Sequence, residues 1–211
     1  MVEWTLIWLP PIDGGDLEHS EIILNKFKGV YIWKHKPTNQ IVYIGETGQT
    51  FYQRIYKEEI NGNLKNGRWN IYDFEKEPNF AQMLRRYSFD KKDYIEVNKT
   101  EIIFIPNVPQ ATEIWNRCWR SRVDDYIFNL QFLFCTGDWS SDLNKRQHVE
   151  SLLLWEYKQH YAEEAGLPPL TKDNDRISIG SIQNLNLNSN ITFRHIGCVD
   201  SVPEKVLETL K

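Results

Sequence analysis

The stretch GVYIWKHKPTNQIVYIGETGQTFYQR, Gly29–Arg54, carries three changes of local pattern in twenty-six residues. Apolar and aromatic residues fill Val30–Trp33, a Lys-Pro-Thr-Asn break follows, and a second β-branched and aromatic run occupies Ile41–Ile44. Two such runs about a polar turn predict a β-hairpin. Beyond Gly48 the period changes: Phe51, Ile55 and then Glu58 fall on one helical stripe, with Thr50 at the position of an N-terminal cap. The glycines between hairpin and helix invite comparison with a phosphate loop. That loop needs G-x-x-x-x-G-K-[ST] so that backbone amides and a lysine converge on phosphate. Gly45 and Gly48 are three apart and no lysine follows, so a nucleotide loop is excluded, and both glycines are expected to serve a tight strand-to-helix turn.

Working outward, 41% hydrophobic and 26% charged residues in 211 suit one well-packed domain with an ordinary surface. No window approaches 18 consecutive apolar residues, and the N-terminal MVEWTLIWLPP lacks a basic leader and carries Glu3, so a cytoplasmic protein without membrane contact is expected. Cys118, Cys135 and Cys198 are scattered without a C-x-x-C pair, which fits buried thiols rather than a disulfide framework or zinc ribbon. The net charge of −4 hides an asymmetry: Glu21–Val123 holds 17 Lys and Arg against 12 Asp and Glu, a net of +5, whereas the remainder holds 8 against 17, a net of −9. A basic half can attract phosphates locally whatever the whole chain carries.

Two Asn-Gly steps in NGNLKNGRWN are expected to break the first helix, PNFAQMLRRYSF to begin another, YIEVNKTEIIFIPNVP to supply strands, and ATEIWNRCWRSRVDDY to form a helix with outward arginines. Tyr126–Gly137 reads as a further strand. Ser140 or Ser141 is placed to cap the longest helix, LNKRQHVESLLLWEYKQHY, whose Leu152–Trp155 run implies burial on more than one side and which stops before Gly166-Leu-Pro-Pro. The tail reads as a late strand or loop and a short terminal helix.

The paired strings GVY at Gly29–Tyr31 and YIG at Tyr43–Gly45, with tyrosines twelve apart, resemble the signature of the GIY-YIG nucleases. Arg54, eleven beyond Tyr43, stands where that family has an arginine on the helix after the second motif. Lys34 matches a lysine of the repair members, and Glu150 in HVESLLLWEY matches the glutamate on a helix after the third strand. The resemblance implies an α/β (α+β) fold with a small central antiparallel three-stranded sheet flanked by helices, in a single domain over 1–211. The core would cover about 27–60 and 124–165, the helical and strand insertion about 61–122, and the C-terminal extension about 166–211. A stand-alone chain with a large insertion is more similar to the restriction-type members than to a repair subunit.

The same resemblance implies a divalent-metal-dependent DNA endonuclease. Tyr31 would take a proton from the attacking water, aided by a cation such as Lys34, while Tyr43 orients water or substrate. Arg54 would clamp the scissile phosphate and Glu150 would hold Mg2+ or Mn2+. Glu113 is the alternative metal ligand should the third strand be Tyr94–Ile105. Arg85, Arg86, Arg117 and Arg120, set among aromatics in the insertion, are the expected DNA contacts, with Gly45 beside the substrate. The chain departs from the family pattern at Glu58, where a histidine or tyrosine is common, and at Ala165, where an asparagine is common; Asn174 is the nearest following asparagine. His148 and Glu150 also form H-x-E, but the P-C-x-x-C of a zinc deaminase is absent. A homodimer is compatible with this reading, and a non-catalytic DNA- or partner-binding module on the same fold is the competing one.

Overall fold

The computed structural model describes residues 2–66, 68–69, 71–73, 82–84, 94–98, 101–104, 119–164, 166, 179–183 and 190–211. The chain divides into two compact units, one of residues 1–54 and 130–211 and one of residues 55–129. The second takes in the expected insertion together with most of the helix before it. The chain is mixed α/β, as its hairpin, helix and strand patterns predict.

The first unit is built on a six-stranded mixed sheet. In chain order its strands are β1 (Val2–Trp8), β2 (Ile12–Asp13), β3 (Gly29–His35) and β4 (Gln40–Thr47), with later members at Leu130–Thr136 and Ile191–Gly197. Numbering the short strands of the second unit β5 to β8, these last two are β9 and β10, and the order across the sheet is β10-β1-β9-β3-β4, with β2 also paired to β9. The antiparallel trio β4-β3-β9 is the expected core. It is extended by β1, antiparallel to β9, and by β10, which runs parallel to β1 from Val2↔Ile191 to Trp8↔Gly197. Pro10 and Pro11 separate β1 from β2 because proline has no N–H for a ladder; both pieces nevertheless lie along β9, and the Leu9 amide between them donates to the Phe134 carbonyl at 3.0 Å.

Strand alternation gives the sheet two chemically distinct faces. Val30, Ile32, Leu133 and Cys135 form an aliphatic face, packed with Val149, Leu153, Leu154 and Tyr157 of the long helix α3 (Leu143–Glu164), with Val206 of the terminal helix α4 (Glu204–Thr209) and with Leu210 just after it. Burial pushes the Tyr157 phenol and the Cys135 thiol up, which fits core residues rather than reactive ones. The other face is aromatic: Trp33 meets Phe132 at 5.4 Å between ring centroids, and Phe51 meets Phe134 at 5.0 Å. The short helix α1 (Glu21–Leu24) precedes β3, and the buried Leu17 and Leu24 come from that connection.

Several boundaries differ from the sequence expectation. β9 begins at Leu130 because residues 119–128 form a helix, α2, so that Tyr126 is helical. The cap of α3 is Asp142, whose carboxylate accepts from the amides of Asn144 and Lys145 at 2.9 and 3.3 Å; Ser140 and Ser141 lie in the preceding 3-10 turn. The helix Tyr52–Leu64 is wound as a π-helix and continues through Asn61-Gly62 instead of breaking there. From Phe51 just ahead of it, buried positions fall in pairs, Phe51-Tyr52, Ile55-Tyr56 and Glu59-Ile60, and then at Leu64, a spacing wider than that of an α-helix and suited to i→i+5 bonding. That period puts Glu59, not Glu58, on the buried side.

The second unit contains two antiparallel hairpins, β5 (Ile71–Asp73) with β6 (Gln82–Leu84) and β7 (Tyr94–Asn98) with β8 (Glu101–Phe104). Gln82–Leu84 is therefore strand where PNFAQMLRRYSF suggested helix; the rest of that segment lies outside the described residues. Within this unit Trp119 Nε1 donates to the Leu64 carbonyl at 2.8 Å. Among the described residues no helix is long and apolar enough to cross a membrane.

Gly29 fixes how closely β3 approaches β9. Its φ is 149°, and a Cβ there would lie 2.1 Å from the Cys135 carbonyl oxygen, a backbone atom that cannot step aside. Gly29→Ala is expected to cost roughly 3 kcal/mol or more in urea unfolding, since backbone strain and overpacking add at one position. A loss below about 1 kcal/mol, the ordinary scale of a point substitution, would show that this contact does not set the strand spacing.

Candidate active site

The register of β3 against β4 decides which motif residues meet. Tyr31 lies opposite Gly45 and Trp33 opposite Tyr43, so the two tyrosines stand diagonally on the aromatic face with ring centroids 6.0 Å apart. The hairpin irregularity falls between Trp33 and Lys34, beyond the tyrosines, and leaves their shared face intact. Tyr31 is fully buried, whereas Tyr43 is partly exposed. Phe51 meets the Tyr31 ring edge-on at 6.3 Å, and Arg54, partly exposed, follows it on the π-helix.

Neither glycine of the strand-to-helix passage has a positive φ, which corrects the expectation that they relax backbone torsion. Both supply space. A Cβ at Gly45 would lie 2.7 Å from the Tyr31 phenol oxygen and 2.8 Å from the Tyr43 ring; one at Gly48 would lie 2.7 Å from Arg146 Nη2. The turn itself is tied by side chains and backbone. Thr47 Oγ1 accepts from the Gln49 amide at 3.0 Å, Thr50 Oγ1 accepts from the Gln53 amide at 3.3 Å and donates to Asn25 at 3.0 Å, and the Phe51 amide donates to the Phe27 carbonyl at 2.9 Å.

Lys34 stands elsewhere. Three positions along a strand whose pairing with β9 is unbroken is an odd step, so Lys34 projects from the face opposite Tyr31. The parity sets Lys34 on the opposite side of β3 from Tyr31, the side on which α3 and Glu150 lie.

Glu150 is carried by α3, over the aliphatic face, and is 6% exposed. Its level along β4 follows from its neighbours on the same side of the helix. Four residues before it, Arg146 Nε donates to Glu46 Oε2 at 2.6 Å; four residues after it, Leu154 packs in the cluster that contains Ile44; farther on, the Tyr161 hydroxyl donates to the Ile41 carbonyl. The helix thus runs antiparallel to β4, and Glu150 falls between the levels of Glu46 and Ile44, beside Gly45. Tyr31 and Glu150 lie on opposite sides of β4, whose outer edge is met at Ile44 by the Ile179 carbonyl, 2.9 Å from the Ile44 amide. Sequence reasoning missed Arg146 and Glu46, although opposite charges immediately after YIG and one turn before Glu150 were the available signal.

Of the other expected contacts, Arg120 is exposed on α2 in the second unit. Arg85, Arg86, Arg117 and the alternative ligand Glu113 lie outside the described residues, as do Cys118, Ala165 and Asn174. Glu58 is partly exposed, while Tyr52 and Tyr56 are buried; the Tyr52 hydroxyl donates to the Glu18 carbonyl at 3.4 Å.

No protein-family model matches the chain, no curated protein sequence matches it, and no solved structure matches its fold. Among the described residues, no group of three or more His, Cys, Asp and Glu side chains could cage a metal. A single buried carboxylate suits a different kind of ion. By ligand number a lone carboxylate is compatible only with an ion that keeps most of its waters, as Mg2+ does, and Glu150 is the carboxylate that the resemblance assigns to it.

Gly45→Ala tests the spatial reading of the motif glycine. Its φ tolerates a side chain, so the expected loss of about 1–3 kcal/mol arises from overpacking against Tyr31 and Tyr43. It should appear in urea unfolding along with altered tyrosine absorption. Wild-type stability and absorption in Gly45→Ala would show that the two rings do not rest on this residue.

Proposed function

We propose that the chain is a divalent-metal-dependent DNA endonuclease of the GIY-YIG kind. The observation that carries the reading is the register of Tyr31 opposite Gly45 with Tyr43 diagonal to it, because this one alignment puts both motif phenols on the strand pair that leads into the Arg54 helix. The net +5 of Glu21–Val123 supports a phosphate-rich partner. DNA contacts from Arg85, Arg86, Arg117 and Arg120, and a homodimer, belong to the same proposal.

The two phenols take unequal parts. Tyr31 is enclosed by rings, and a phenolate there would be poorly solvated; Tyr43 reaches solvent. In this reading Tyr43 accepts the proton of the attacking water, and the enclosed Tyr31 ring supports Tyr43 from beneath. The Arg54 guanidinium grips two oxygens of the scissile phosphate. Glu150 would hold hydrated Mg2+ or Mn2+, which would supply positive charge against the charge that develops on that phosphate.

Single-turnover cleavage of plasmid and branched DNA with Mg2+ or Mn2+ tests these roles. Tyr43→Phe should lower the rate by roughly 10²–10⁴-fold, the usual worth of acid–base catalysis. Tyr31→Phe should cost about 1 kcal/mol of stability and a smaller share of rate. The reverse order would return the proton-accepting role to Tyr31. Separately, Glu150→Ala should abolish cleavage while DNA binding survives. Full activity in that variant, or its loss only in Glu113→Ala, would remove Glu150 from the site.

One observation favours the second reading, a non-catalytic module on the same fold: complete enclosure of Tyr31 is also what a purely structural ring would show. DNA binding without cleavage under every metal condition would decide for it.

A further inference from the structure

We infer that Arg146 and Glu46 form a positioning pair that sets the height of Glu150 along β4, an inference that rests on the nuclease reading and adds two residues to its machinery. The pair joins the strand of the YIG motif to the helix of the candidate metal ligand, one turn ahead of that ligand. It is enclosed: the side chains are 7% and 17% exposed, and the Nε to Oε2 distance is 2.6 Å. The guanidinium is fixed at three places. Nε donates to Glu46, Nη1 donates to the Ser140 carbonyl at 2.9 Å, and Nη2 rests on Gly48, where even a methyl group would lie 2.7 Å away. Ser140 belongs to the turn that feeds α3, itself anchored where Trp139 Nε1 donates to the Thr5 carbonyl at 2.9 Å. One planar group therefore locks the start of α3, the end of β4 and the glycine turn together. Lysine could keep the charge but not this three-way fork.

The geometry also accounts for Gly48. A side chain there would displace the guanidinium from its present seat. Arg146 touches no reacting atom in this arrangement. It acts through Glu150, so its signature is a weakened response to metal rather than a weakened grip on DNA.

The test compares wild type, Arg146→Lys, Glu46→Gln, their double variant and Gly48→Ala in Mn2+ titrations of DNA cleavage, with DNA affinity and thermal melting measured on the same samples. Partners that orient a metal ligand are commonly worth about 10–100-fold in metal affinity or activity. Arg146→Lys and Gly48→Ala are expected to raise the half-saturating Mn2+ concentration by about tenfold or more, with DNA affinity within about twofold of wild type. The double variant should be no worse than its worse single member, because both changes break one pair. Gly48→Ala keeps both charges, so it carries the test if the charge variants do not fold. A Gly48→Ala or Arg146→Lys protein that melts lower yet keeps wild-type Mn2+ dependence overturns the inference and leaves the nuclease reading standing. A wild-type protein that cleaves no DNA overturns both.

Discussion

The opposition of Tyr31 to Gly45 across the β3–β4 hairpin organises the first unit, because side chains alternate along a strand with a period of two. A slip of one residue would send Tyr31, Trp33 and Tyr43 into the aliphatic layer beneath α3 and would expose Val30, Ile32 and Ile44 to the aromatic layer. Neither layer could accept the exchange at protein packing density. Gly29 and Gly45 hold the register from two directions. The first admits the β9 backbone beside β3, and the second admits the Tyr31 ring over β4. The two motif glycines thus do spatial work that no larger residue could share, and of the two only Gly29 also has a positive φ.

The hairpin was legible because its two strands are adjacent in sequence and its turn is marked by Pro37 and Asn39, the latter at a φ of 57° that asparagine tolerates. Helix α3 was legible from its length and its leucine run. The fold class followed from these parts. The outer half of the sheet was not legible, since pairing Val2–Trp8 with Ile191–Gly197 joins opposite ends of the sequence, and a parallel pair has no turn to announce it. Pro10-Pro11 further disguised the N-terminal run by cutting one edge of β9 into two pieces. The reading of Gln82–Leu84 as helix failed where a short strand owes its state to a partner eleven residues earlier, Ile71–Asp73, and not to its own propensity.

The candidate site was legible in part, and for a geometric reason. Spacing along a strand fixes parity, so Tyr31 and Tyr43 could be placed on one face once the register was even, and the same parity removes Lys34 from that face. Spacing along an ordinary helix gave Phe51 and Ile55 correctly but turned out of step by Glu58, because the π winding advances the buried stripe to Glu59. No one-dimensional pattern could show that α3 runs antiparallel to β4 and carries Glu150 between its contacts at Glu46 and Ile44. That relation depends on contacts at Glu46, Ile44 and Ile41, met by Arg146, Leu154 and Tyr161 along about four turns of the helix.

The Arg146–Glu46 contact is an expensive way to join a helix to a sheet if stability is its only purpose. Two enclosed charges give up hydration that their attraction repays incompletely, and a pair of well-packed apolar side chains often holds such a position as well or better. Apolar side chains, however, can slide along a neighbouring strand with little penalty, whereas a forked guanidinium that must meet a carboxylate, a carbonyl and a glycine surface together has one seat. The ion pair therefore contributes more to where α3 stops along β4 than to how firmly it adheres. For the carboxylate one turn away, in the role proposed for it, position along β4 is the quantity that matters.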